Sequence, residues 1–179
     1  MPHYSLVEQL QSYIGYPEEQ DHKHHIINFI QNYPTCFERS LAIGHITASA
    51  WLVNRDNTHA FLMHHIKLNI WVQPGGHCDG NPNVLDVAIK EAQEESGIQH
   101  IQPISTDIFD IDIHFIPANT REKEHYHYDI RFLLQVKSNE DIIKNEESQA
   151  IQWFSKNKDL LPTDSRSITR MFDKWIKLK

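Results

Sequence analysis

The sequence predicts an α/β fold, organised as one domain with a helical extension at its N-terminus. Three observations carry this. Apolar residues recur at helical spacing near both ends and again around residues 83–96, the segments between them alternate with period two, and 179 residues suit a single domain with a sizeable core.

Taken in order, residues 4–32 read as two short helices broken near Gly15-Tyr16-Pro17, with apolar positions at Leu6, Leu10, Tyr13 and Ile14, then at Ile26, Ile27 and Ile30. From Gly44 the pattern turns to period two: His45, Thr47, Ser49 and Trp51 alternate with Ile46, Ala48, Ala50 and Leu52, which indicates a strand. A second strand is expected over 59–65, after a turn at 54–57. Residues 71–80, with Pro74-Gly75-Gly76, read as a loop leading into a helix over 83–96, with Asn81-Pro82 as cap and first turn and Gly97 as the stop. Further strands are expected at 107–116, 125–136 and 151–154, and an amphipathic helix at 165–178. The segment 117–124 is a polar connection.

Composition narrows the function. With 17 Lys+Arg against 24 Asp+Glu, the formal net charge of -7 argues against a binder of nucleic-acid polymers. No stretch approaches the ~18 apolar residues of a membrane span, and no basic segment followed by an apolar run opens the chain. Cys36 and Cys78 are too few for a disulfide framework. A cytoplasmic, unprocessed protein is the expectation. Thirteen histidines are the compositional oddity, and some fall inside strand-like runs.

The helix at 83–96 is the informative segment. Glu91 and Glu95 are four apart and Glu94 is three from Glu91, so the three carboxylates can converge on one small volume. A solvated acidic face would lie opposite the apolar stripe of Val84, Leu85, Ala88, Ile89 and Ala92. Glu95 does not. At about 100° per residue it projects between Val84 and Ala88, with Glu91 at the edge of the stripe and Asp86, Lys90 and Gln93 outward. Carboxylates aimed into the body of a protein are costly unless something compensates them. A divalent cation with a taste for oxygen, Mg²⁺ or Mn²⁺, is the expected compensation.

This segment resembles the signature of the Nudix hydrolase family, G-x5-E-x7-R-E-U-x-E-E-x-G-U. Gly76, Glu91, Glu94, Glu95, Gly97 and Ile98 match at the right spacing, with Ala92 at the first aliphatic position. Two positions depart: Pro82 stands where the family has its first Glu, and Lys90 where it has Arg. Asp86 and Lys90, at i and i+4, are a candidate replacement pair. The resemblance implies a mixed β-sheet sandwiched between helices, with the extension over 1–40 and the family's domain over 41–179. It also implies a metal-dependent hydrolase of a diphosphate linkage in a nucleoside diphosphate derivative or similar small molecule. Glu91 and Glu95 would hold metal, Glu94 would be ligand or base, and Gly75-Gly76 would let the backbone approach closely. Relatives of this kind often dimerise, so a homodimer stays open, with the extension as a candidate interface.

In the strand at 125–136, His125, His127, Asp129 and Arg131 share one face and Tyr126, Tyr128, Ile130 and Phe132 the other. The polar row either faces water or lines the site. In the second case His127 or Asp129 is a metal ligand, Arg131 holds phosphate and His125 contacts substrate. Isopentenyl-diphosphate isomerases, which share the fold, offer a similar arrangement at Gly44-His45, Gly76-His77, Glu95, His127 and Asp129. This adds His45 and His77 as candidate metal ligands. Their catalytic Cys, however, falls on Gly75, so isomerisation ranks below hydrolysis, beside a non-catalytic nucleotide-binding module. Arg39 and Arg121 are basic residues in loop-like contexts without a stronger claim.

Overall fold

The computed structural model describes residues 2–118, 120 and 123–178; Arg121 lies outside them. Two helices open the chain, α1 (Pro2–Ser12) and α2 (Pro17–Asn32). Pro17 occupies the first turn of α2, and the Glu19 carboxylate accepts the Tyr16 N–H at 2.7 Å, so a free backbone donor is satisfied where the helix starts.

Among the described residues the strands are β1 (Gly44–Val53), β2 (His59–His65), β3 (Ile70–Val72), β4 (Gly75–His77), β5 (Ile101–Pro103), β6 (Asp110–Ile116), β7 (His125–Val136) and β8 (Ser148–Ser155). They form one sheet with the path β3-β2-β1-β7-β5, to which β4 adds on β1, β6 on β7 and β8 on β2. The sheet is mixed. β1 and β7 run parallel at its centre over ten paired residues, and the other pairs are antiparallel. β1 meets β2 at Val53↔Ala60, but over residues 47–49 its partner on that side is β4. The sheet therefore splits where the acidic helix arrives.

Parity along β1 assigns its two faces. Ile46, Ala48, Ala50 and Leu52 join the core with α1, α2 and α3 (Val84–Ser96), together with Ile130, Phe132 and Leu134 of β7. Trp51 and Val53, with Leu133, pack instead against Ile168, Met171, Phe172 and Trp175 of α4 (Arg166–Trp175). Helices thus cover both faces, as expected, and every residue of β1 is buried. α1 and α2 share the main core with the sheet.

Several element boundaries differ from the sequence reading. The segment 71–80 is not a plain loop, because Gly75-Gly76-His77 pairs with β1; three residues, two of them glycine, carry no alternation to betray a strand. β5 was not expected, for the same reason of length. The cap of α3 is Asn83, whose side chain accepts the Asp86 N–H, and Pro82 lies before the helix instead of in its first turn. Gly97 does end α3, in the left-handed conformation at φ 78°, where a side chain would run into Ile143.

Candidate active site

Strand register builds the site. His45 lies opposite His127, Thr47 opposite Asp129 and Ser49 opposite Arg131 across the parallel pair. β4 brings His77 beside Thr47 and Gly75 beside Ser49. On the other flank of β7, β6 sets Asp110 against Arg131, Asp112 against Asp129 and His114 against His127. Since paired residues point to the same side, one face of four strands carries a contiguous polar field inside an otherwise apolar sheet.

The acidic helix reaches this field through β4. Glu95 is only 6% exposed, and its carboxylate accepts the Gly75 N–H at 2.8 Å. Burial pushes its pKa up to about 8, against the Gly75 hydrogen bond and with help from the neighbouring Glu91, Glu147 and Glu94 charges. Burial also raises the Glu91 carboxyl, which Lys90 partly offsets. A methyl group on Gly76 would meet Glu91 Oε2 at 2.5 Å, and one on Gly75 would overlap Ser49. The two glycines are what allow the β4 backbone to lie between the helix carboxylates and the sheet. Glu94 is placed differently: its side chain is 57% exposed and pairs with Lys90 at 3.2 Å. Lys90 also reaches Glu91 at 3.3 Å, so the expected Asp86–Lys90 pair is replaced by a Glu91–Lys90–Glu94 bridge, while Asp86 takes the Asn83 amide at 2.6 Å.

The histidines gather at one end of the field. The ring centroids of His45, His77 and His127 are 4.7 to 5.0 Å apart, and His125 lies 5.1 Å from His45. His125 Nδ1 faces the Lys123 carbonyl at 2.8 Å, and its Nε2 is 3.1 Å from His127 Nε2, so this ring is engaged within the protein. Burial, then the neighbouring histidines, lowers the pKa of His45 to about 4 and of His127 to about 2. Both imidazoles are neutral near pH 7, the state in which they can ligate metal.

Arg131 and Asp129, expected as phosphate holder and metal ligand, lie inside a network of protein partners. Arg131 is 0% exposed. It donates through Nε to Asp129 at 2.7 Å, through Nη1 to Asp110 at 3.0 Å and through Nη2 to Ser167 at 2.8 Å, with His114 Nε2 also 2.8 Å away. Asp129 accepts from Thr47 at 2.9 Å and from Ser49 at 2.8 Å besides Arg131. A buried guanidinium needs such partners, and each described one is a protein group. Asp110 in turn binds Arg170 and Lys174, and the network runs on to Glu19 and Tyr13 in the helical extension.

Three contributors were missed. Asp110 and Asp112 anchor the Arg131 network from β6; their alternation with Ile111 and Ile113 was visible but says nothing about a partner strand. Glu147, just before β8, adds its charge to Glu91 and Glu95. It lies more than fifty residues from them in the chain, and no local signal marks it.

A family model described as the NUDIX domain matches residues 44–175. Among curated proteins, the chain is 31% identical over 97 residues to "Probable DHNTP pyrophosphohydrolase" of Lactococcus lactis subsp. cremoris, covering 53% of this chain and 56% of that protein. It is likewise 31% identical over 84 residues to the asymmetrical "Bis(5'-nucleosyl)-tetraphosphatase" of Rattus norvegicus, covering 46% and 54%. The chain thus spans about half the length of these curated relatives. Among solved structures, a C. elegans Ap4A hydrolase binary complex aligns at TM-score 0.58 and 17% identity, covering 73% of this chain and 94% of that one. A NUDIX-family hydrolase from Clostridium perfringens aligns at TM-score 0.56 and 21% identity, covering 75% and 98%. At such identities the structures speak for the fold alone. The domain match, in contrast, runs through the polar field, the acidic helix and α4, and on it the chain belongs to the NUDIX domain family.

Proposed function

We propose that this protein is a metal-dependent pyrophosphohydrolase that cleaves a diphosphate linkage in a nucleoside diphosphate derivative or similar small molecule. The observation that carries the reading is the pair of inward carboxylates, Glu91 and Glu95, set against Gly75-Gly76 where the sheet splits. A buried carboxylate beside a half-buried one, both with raised pKa values, is a poor structural device and a good cation site. Glu91 and Glu95 would hold Mg²⁺ or Mn²⁺, with Glu94 at the exposed rim as further ligand or base. When bound, the cation supplies polarisation of a phosphoryl oxygen. The names of the two curated relatives, a pyrophosphohydrolase and a tetraphosphatase, agree with a phosphoanhydride substrate. Arg131 and Asp129 serve as positioning residues instead, holding Ser49 beneath Gly75.

Isomerisation of an allylic diphosphate draws no support from the cysteines. Cys78 is buried, and burial pushes its thiol well above the ordinary range, so it is a poor candidate for an acid–base group.

The test is phosphate or nucleotide release across a panel of nucleoside diphosphate derivatives with Mg²⁺ or Mn²⁺. Release is expected to require the cation and to fall by more than about 100-fold in Glu95→Gln, since even outer-shell changes at metal sites cost about 10–100-fold. Release that is equal in the variant, or silence from the wild type across the panel, sinks the proposal.

A further inference from the structure

We propose that His45, His77 and His127 form a second metal site, distinct from the carboxylate pair, that takes a borderline transition ion of the Zn²⁺ or Co²⁺ class. Each offers a ring nitrogen, and the three candidate ligand atoms lie within 4.8 Å of one another. Among the described residues no other group of three metal-ligating side chains comes together in this way.

The second observation is His45 itself. It is 3% exposed, yet neither Nδ1 nor Nε2 has a hydrogen-bond partner. A buried imidazole carries one donor and one acceptor, and leaving both unmade is unfavourable for each group. A purely structural histidine would be expected to find a carbonyl or hydroxyl. His45 instead faces other imidazoles, and a cation placed among them satisfies a lone pair of each.

The surroundings fit an ion of this class. Three imidazole nitrogens on separate strands suit Zn²⁺ or Co²⁺, whereas Mg²⁺ prefers oxygen. At the roughly 2.1 Å expected for Zn–N bonds, tetrahedral nitrogens lie about 3.4 Å apart, so each ring need shift by less than about 1 Å. The Lys123 carbonyl accepts from His125 Nδ1, and where His125 Nε2 in turn accepts from His127 Nε2, the lone pair of His127 is on Nδ1. An outer contact of this kind fixes the tautomer of a metal-bound histidine. His45 is buried, while His77 and His127 keep partial exposure, so the cluster is open to a further ligand from their side. Three histidines with an open position are the donor set of a catalytic ion rather than a sealed structural one.

The proposal is independent of hydrolysis, and its test reads the ion directly. The full chain, stripped with a chelator, is titrated with Co²⁺ in excess Mg²⁺ while visible absorption is followed, alongside His77→Ala, His127→Asn and Glu91→Gln. One equivalent of Co²⁺ is expected to give the intense bands of a four- or five-coordinate ion. Its affinity should fall by more than about 100-fold in either histidine variant and stay unchanged in Glu91→Gln. Far-UV circular dichroism confirms that the variants are folded, and two histidines are tested separately so that one failed fold leaves the other decisive. Weak bands in the wild type, bands indifferent to both histidine changes, or bands abolished by Mg²⁺ or by Glu91→Gln would overturn the proposal, the last by showing one shared site.

Discussion

Replacing Arg131 with Met separates a structural role from a ligand-binding one. The side chain is wholly buried and its described partners are all protein groups. Removing the charge does not affect those partners equally. Asp110 keeps Arg170, at 2.9 and 2.8 Å, and Lys174, at 2.7 Å. Asp129 keeps only the hydroxyls of Thr47 and Ser49 and a long contact to the Gln73 amide at 3.5 Å, because among the described residues Arg131 is its only ion-pair partner. Breaking a buried pair costs about 3–5 kcal/mol; with one aspartate still served by two cations, the lower end, about 3 kcal/mol, is expected here. In a domain of this size that lowers Tm by about 6–12 °C. Thermal unfolding followed by circular dichroism measures it, and a second substitution, Asp129→Asn, should restore part of the loss because it removes the orphaned charge. An unchanged Tm in Arg131→Met, accompanied by a raised KM for the diphosphate substrate, would refute the reasoning and return Arg131 to phosphate binding.

Two other perturbations probe the carboxylates. Glu95 has a folded pKa raised to about 8 from an ordinary 4.5. The folded state therefore holds a proton that the unfolded state loses, so stability in chelator should fall as pH rises from about 4.5 to about 8 and level off above. Glu95→Gln should flatten that slope in pH-dependent denaturant melts, and a slope that persists in the variant assigns it to other groups. Gly76→Ala places a methyl group 2.5 Å from Glu91 Oε2, the far end of a flexible side chain. Steady-state kinetics should show turnover reduced by at least about 10-fold while thermal stability shifts by no more than about 1 kcal/mol; full activity in this variant would mean that the close approach of β4 to Glu91 is not needed.

Local periodicity made much of the architecture legible before the structure. The wheel position of Glu95 between Val84 and Ala88 already placed a carboxylate inside, and the structure buries it. The strands of ten or more residues, β1 and β7, showed clear alternation, whereas β4 and β5, at three residues each, exist only through their partners. Register was the missing quantity. His45 and His77 are thirty-two residues apart, and His127 lies fifty further on; nothing local says that β4 and β7 flank β1 at matching heights. The same gap hid the partner of Arg131, since Asp110 arrives opposite it from β6.

The sequence presents the row His125-His127-Asp129-Arg131 as a unit, facing either water or a site, and the structure divides it. Its lower half is satisfied within the protein: Arg131 donates to Asp129 and Asp110, and Asp129 accepts from two hydroxyls besides. At its upper end His127 packs against His45, whose nitrogens are buried without partners. Burial alone does not separate structural from functional polar groups here, since Arg131, Asp129 and His45 are all inside. Satisfaction does. A buried network with every donor and acceptor used rigidifies a fold, and a buried polar group left wanting calls for a ligand or another specific cause. By that criterion Arg131 and Asp129 are engaged within the protein beneath Gly75, whereas the carboxylates of α3 and the histidines of β1, β4 and β7 are places where unmet demand falls on groups able to hold a cation.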